Sequence, residues 1–288
     1  MVGAFKRSFE ITKLTFDIIK KDKKLLLFPI LAGLFSIAFI IAMIFPWILS
    51  PAIGPEGAYT SYDYLMVFLI YLGLAFIATF FNVCVVYSIK RKFEGKQATM
   101  GEAIKFAFSK IHLIFMWSLL AAIVGLILRI LDNMAERIKS DIGRILAKIL
   151  ISILGGIWSM ITIFVVPGMV YHDLGPIDAI KKSVGTLKKT WGESLVRIYG
   201  LGIVEFLLIL AGALVGILLW FTFAWMGTIA MIAVLSLVGL YLLGVIILFS
   251  VANSVFNTAL FHYAEKGQVP HGYSSEVLHH AFAKKEKD

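Results

Sequence analysis

Six long, almost uncharged apolar runs dominate this sequence: Leu25–Leu49, Tyr64–Ile89, Leu113–Leu131, Ile145–Val170, Ile198–Trp220 and Ile229–Tyr263. Each reaches the roughly 20 residues that carry an α-helix, at 1.5 Å per residue, across a hydrocarbon layer about 30 Å thick. Only 16% of the 288 residues are charged and 60% are hydrophobic, whereas a soluble domain is about a quarter charged. Lipid is therefore the implied solvent. The fold class expected is all-α, a polytopic bundle of six transmembrane helices. The runs leave no room for a separate soluble core, so 1–288 reads as one integral membrane domain ending in a cytoplasmic tail, 266–288.

Two of the runs raise alternatives. Lys20 to Lys24 followed by Leu25–Met43 resembles a signal sequence in outline. The apolar part is too long for a signal core of roughly 7–15 residues, so an uncleaved first helix is expected. The sixth run exceeds what a span needs, so part of Phe221–Ala233 is expected as a loop or re-entrant turn, unless the helix tilts or protrudes. Cys84, the one cysteine, lies within an apolar run and reads as a small packing residue with no intrachain disulfide.

The net charge of +9 sits beside the apolar runs, which points to anionic lipid headgroups as the partner and away from nucleic acid. Lys and Arg number 7 in Met1–Lys24, 6 in Lys90–His112, 5 in Tyr171–Arg197 and 4 after Tyr263, while the alternate segments hold only the 5 of Arg129–Lys148. Basic flanks stay inside, so both termini are expected on the cytoplasmic face of the cell membrane. In Arg129–Lys148 the bases mix with Asp132, Glu136 and Asp141, and Ile130, Met134, Ile138, Ile142 and Ile145 recur at helical spacing. Either the third and fourth helices continue there as an amphipathic hairpin or the segment is a solvated loop.

An internal repeat is the most informative pattern. A shift of 175 lays Ala4-Phe5-Lys6-Arg7-Ser8 over Ala179-Ile180-Lys181-Lys182-Ser183, Thr15-Phe16 over Thr190-Trp191, and Phe81-Asn82 over Phe256-Asn257. A fainter middle copy, Glu102-Ala103-Ile104-Lys105 with Phe115, matches Asp178-Ala179-Ile180-Lys181 with Trp191. The expected units, 1–95, 96–172 and 173–265, each begin with a basic amphipathic helix and continue as a transmembrane hairpin. Thr99 to Glu102 reads as a capping box, and Pro176 with Asp178 suits a first helical turn. The leading helices would lie in the plane of an anionic leaflet, with Lys6, Arg7, Lys13, Lys105, Lys181, Lys182 and Lys188 meeting headgroups. Packing on the other two leading helices is the competing reading.

The stretch from Val166-Pro167-Gly168 through Asp173-Leu174-Gly175-Pro176-Ile177-Asp178-Ala179-Ile180-Lys181-Lys182-Ser183 to Trp191 resembles uncharacterised polytopic membrane proteins of archaea and bacteria. These are related to the membrane domain attached to some glycerophosphodiester phosphodiesterases. In such proteins a span ends in a Pro-Gly-type turn, followed by a short loop and an Ala-x-x-x-Ser helix ending near Trp. The resemblance covers the third unit well and the rest loosely. The phosphodiesterase catalytic domain is absent, so the resemblance implies topology and no activity.

Polar groups inside spans are costly and mark candidate sites. Glu205, Asn82 and Asn257 each lie eight residues inward from Arg197, Lys90 and Glu265, about 12 Å below the cytoplasmic boundary. At a common depth they could hold a cation, a proton or a headgroup, or simply lock helices together by hydrogen bonds. Gly212-x-x-x-Gly216, Ala121-x-x-x-Gly125 and Gly155-Gly156 would let helices approach closely, within this chain or with another copy, so a homo-oligomer is one expectation.

The histidines His112, His172, His262, His271, His279 and His280 lack the fixed ligand spacing of a metal site. Nucleophile-elbow, metalloprotease and phosphate-loop motifs are all missing, so no catalytic residue, metal or cofactor is expected. The first functional expectation is a non-enzymatic membrane protein that binds anionic lipid or organises a partner. The alternative is an ion or small-solute channel or transporter using Glu205, Asn82 and Asn257.

Overall fold

The computed structural model describes residues 13–49, 61–191 and 200–267. Helix α1, over 13–21, leads through a 3₁₀ turn, Lys23–Leu26, into α2, Leu27–Leu49. The chain continues with α3, Ser61–Phe93; α4, Met100–Ser109; α5, Ile111–Glu136; and α6, Asp141–Ile161. It ends with α7, Val165–His172; α8, Pro176–Trp191; α9, Gly200–Phe223; and α10, Thr228–Lys266. No strand occurs among the described residues.

Among the described residues six segments are long and apolar enough to cross a membrane: Lys23–Phe45, Tyr62–Phe93, Ile111–Glu136, Asp141–His172, Leu201–Met226 and Thr228–Lys266. The chain is a multi-pass α-helical membrane protein, as its apolar runs require. It divides into two compact units, Ile30–Lys188 and the pair Met1–Pro29 with Lys189–Asp288.

In the Ile30–Lys188 unit, α3 is the central element. Small residues bring α5 onto it: Ala122 is buried, and a Cβ on Gly125 would stand 3.1 Å from the Tyr71 ring. In lipid no hydrophobic force drives helices together, so this close backbone approach and its dispersion contacts supply the cohesion. Gly73 plays the same part toward α2, since a Cβ there would fall 2.1 Å from the Phe39 ring. On α5 and α6, Trp117 and Trp158 stack with centroids 5.9 Å apart.

The segment Arg129–Lys148 is a helical hairpin rather than a loop. α5 runs to Glu136 and α6 resumes at Asp141 behind Ser140, whose hydroxyl caps Gly143 N–H. Ion pairs Lys148–Glu136 at 3.3 Å, Arg129–Asp132 at 3.6 Å and Arg144–Asp141 hold its polar face.

Pro167 and Gly168 lie inside α7, not at the end of a span. The fourth span bends before them, at 162–164. Pro167 has no N–H to give the Ile163 carbonyl and its ring crowds that carbonyl, which is how proline kinks a helix. The helix then runs on to His172 and closes at Asp173 in the left-handed conformation, φ 54°.

In the other unit, α9 and α10 form an antiparallel pair joined by a 3₁₀ turn, Ala224–Met226, and Gly227 at φ +90°. This turn is the loop the sequence allowed within Phe221–Ala233, and α10 follows it unbroken for 39 residues. The Gly212-x-x-x-Gly216 face meets α10 of the same chain: a Cβ on Gly212 would lie 2.3 Å from the Tyr241 ring, and one on Gly216 3.0 Å from Val238. The Tyr241 hydroxyl donates to the Leu208 carbonyl at 3.0 Å. From α1, Phe16 meets Phe249 of α10 edge to face at 5.5 Å, and Thr15, Ile18 and Ile19 are buried.

Candidate functional site: the basic helix ends

Nine basic residues of the Ile30–Lys188 unit lie at the end of α3, just after it, and on or beside α4 and α8: Lys90, Arg91, Lys92, Lys96, Lys105, Lys110, Lys181, Lys182 and Lys188; the other five belong to the α5–α6 hairpin. α4 starts with the anticipated capping box. The Thr99 hydroxyl accepts from Glu102 N–H at 3.2 Å and the Glu102 carboxylate accepts from Thr99 N–H at 2.8 Å, so two open donors of the first turn are satisfied. Two small residues one turn apart, Ala103 and Ala107, are wholly buried. Beside them Phe106 stacks on Tyr87 of α3 at 4.3 Å and Phe108 meets Phe80 at 5.0 Å. The opposite face carries exposed Lys105 and exposed Phe108.

α8 repeats this layout. It begins at Pro176 with Asp178 in its first turn, and Ala179 and Ser183, again four apart, are wholly buried. Ser183 does more than fill space. At the bend, 162–164, the Ser183 hydroxyl accepts from Phe164 N–H at 3.2 Å. Outward lie Ile177, 65% exposed, and Lys181, which pairs with Asp178 at 3.1 Å. Lys188 is exposed and Lys182 half-buried.

Two lysines tie these elements together. The Lys90 ammonium donates to the Val170 carbonyl at 3.2 Å and stands 4.7 Å above the Tyr171 ring, which satisfies an open carbonyl at the end of α7. Lys110, between α4 and α5, meets Asp173 at 2.6 Å. Sequence reading counted both only as positive charge. Their partners lie 80 and 63 residues away, and no local spacing announces them.

Of the headgroup candidates, Lys13, Lys105, Lys181, Lys182 and Lys188 are described, and Lys6 and Arg7 lie outside the described residues. Among the described residues Lys13, Lys105 and Lys188 make no ion pair, whereas Lys181 does. The intramembrane polar candidates are distributed differently. Asn82 belongs to the Ile30–Lys188 unit, and Glu205 and Asn257 belong to the other. All three are half-buried. Glu205 makes no hydrogen bond or ion pair with another described residue, while Asn82 does have a partner. Because Gly212 meets Tyr241 and Gly216 meets Val238, Glu205 falls level with Leu248 and Phe249 in the register of the pair. Asn257 is then roughly eight or nine residues, about 13 Å, further along α10.

Among the described residues no three His, Cys, Asp or Glu side chains gather as a metal would need. His271, His279 and His280 lie outside them.

No curated protein matches the chain. A family model does match it over residues 61–271, nearly three quarters of its length and from the start of α3 past the end of α10. The chain belongs to that family, the family of unknown function DUF6159.

Proposed function

We propose that this chain is a non-enzymatic protein of the cell membrane, with both termini in the cytoplasm, whose basic in-plane helices bind anionic lipid headgroups. One observation carries the reading: α4 and α8 each bury a small-residue face, Ala103 with Ala107 and Ala179 with Ser183, and turn lysine and an apolar side chain outward. An interfacial helix needs that combination, with apolar groups entering the acyl boundary and ammonium groups at headgroup level. Each lysine near an anionic surface contributes about 1 kcal/mol.

The three repeats are part of the proposal. Two observations support them. Ala103 and Ala107 stand 76 residues before Ala179 and Ser183, the offset of the middle copy, and all four are fully buried. At the 175-residue offset, 81–86 of α3 and 256–261 of α10 share one burial rhythm, in which only Asn82 and Asn257 are partly open. The kinship to the membrane domain of glycerophosphodiester phosphodiesterases also belongs here and extends to topology alone.

The test is lipid selectivity in proteoliposomes, read from spin-labelled phosphatidylglycerol and phosphatidylcholine. Preference for phosphatidylglycerol should fall with salt and fall further in the triple variant K105E/K181E/K188E. A preference that neither salt nor the variant moves removes the reading.

A further inference from the structure

We infer that the apolar groove between α2, α3 and α5 holds one acyl chain of an anionic phospholipid whose headgroup is taken by Lys105 on α4. The inference rests on the lipid-binding reading above and gives it a definite place. The groove is open on one side, offers about 440 Å³ and is lined by Phe39, Met43, Leu69, Leu72, Gly73, Phe76 and Phe115. That volume falls within the roughly 300–1,000 Å³ of ligand pockets. Every lining side chain is apolar, so an occupant with a polar group at this depth would have nothing to bond, and a hydrocarbon chain loses nothing.

Its shape comes from the sequence. With no side chain at Gly73, the Phe39 ring lies directly on the α3 backbone, which opens a trough beside it. Toward the basic helix ends an aromatic series continues from the trough: Phe76 stacks on Phe80 at 6.4 Å, and Phe80 meets Phe108 of α4 at 5.0 Å. Phe108 is one helical turn from Lys105. On the other side of the α4–α5 junction, exposed Phe115 lines the trough itself.

Charge decides which headgroup fits. Glu102, the nearest acid on α4, has its carboxylate bonded to Thr99 N–H, and Lys110 is matched by Asp173. Lys105 has neither an acid nor a carbonyl partner among the described residues. An exposed ammonium one helical turn beyond the Phe80–Phe108 contact, on the side of the trough toward the basic helix ends, is complementary to a lipid with a net negative head.

The experiment uses the full-length protein in bilayers of phosphatidylcholine with phosphatidylglycerol, where one or the other carries a mid-chain diazirine. After photolysis, labelled peptides are mapped. Phosphatidylglycerol should mark Leu69–Phe76 and Phe115 more heavily than it marks the lipid-facing residues Ile149, Ile153 and Ile157 of α6. K105E, at an exposed site, should lower that groove labelling about fivefold and leave the α6 labelling alone. L72W, which fills the trough, should lower groove labelling by both lipids.

Groove labelling no heavier than that of α6, or unchanged by L72W in folded protein, overturns the inference. Equal groove labelling by both lipids with no effect of K105E also overturns it, because the headgroup assignment is then wrong. If spin-label selectivity for phosphatidylglycerol persists while the groove stays unlabelled, this inference fails and the broader lipid reading stands.

Discussion

The two helix pairs α3–α5 and α9–α10 are both closed by glycine under tyrosine, Gly125 with Tyr71 and Gly212 with Tyr241, yet they are finished differently. α3 is overlaid near its basic end by α4 and tied to α7 by Lys90, so 83–86 and Ile89 are buried. α9 and the first half of α10 keep large apolar side chains outward, with Phe221 76% and Ile229 85% exposed. One region is solvated by protein and the other by lipid, and the same close-contact device serves both. The comparison teaches that helix approach here depends on removing a side chain, while burial depends on whether a further short helix packs over the pair, as α4 does on α3 and α1 on the second half of α10.

The largest effects should come from restoring the missing side chains. Gly73→Val drives into the Phe39 ring and Gly212→Val into the Tyr241 ring, and overpacking of this kind costs roughly 1–3 kcal/mol. Reversible unfolding in mixed micelles should place both variants in that range. A cost confined to Gly73→Val would mean that close glycine contact secures the Ile30–Lys188 unit and not the α9–α10 pair.

Next is Ser183→Ala, which removes the hydroxyl that accepts from Phe164 N–H at the α6–α7 bend, for about 1 kcal/mol. A far smaller loss in the same unfolding measurement would mean that the bend satisfies itself. Tyr241→Phe removes only the hydroxyl donated to Leu208. Interhelical hydrogen bonds in lipid average about 0.6 kcal/mol, and a double-mutant comparison with Gly212→Val should separate ring contact from hydroxyl. The smallest change in stability is expected for Lys105→Glu, within roughly 0.5 kcal/mol as for other exposed sites. Its effect should appear in lipid preference instead.

Much of this was legible from local spacing. The six spans, the glycine face of α9 and the capping box at Thr99 are set by neighbours within a turn or two, and sequence carries those directly. The partner of Gly212-x-x-x-Gly216 was not legible, because small residues license an approach without saying by whom. The bend at 162–164 lies hidden in an unbroken apolar run. Its cause, Pro167, reads equally well as the end of a span, and only the chain continuing to His172 distinguishes the two. Ser183 looked like one letter of a repeat, although its hydroxyl completes the backbone of another helix 19 residues away. For Glu205 and Asn257 the sequence offered only an equal distance from the charged flanks Arg197 and Glu265, whereas the α9–α10 contacts set their register along the pair.

The meeting of Phe16 with Phe249 has a consequence for biogenesis. The first of these rings leaves the ribosome long before the second exists. At about 5–20 residues per second the interval is on the order of 10 to 50 s. Throughout that interval α1 has no α10 to pack on. The Phe16 contact can therefore close only after the final hairpin has been made, so the first described helix is among the last to reach its place.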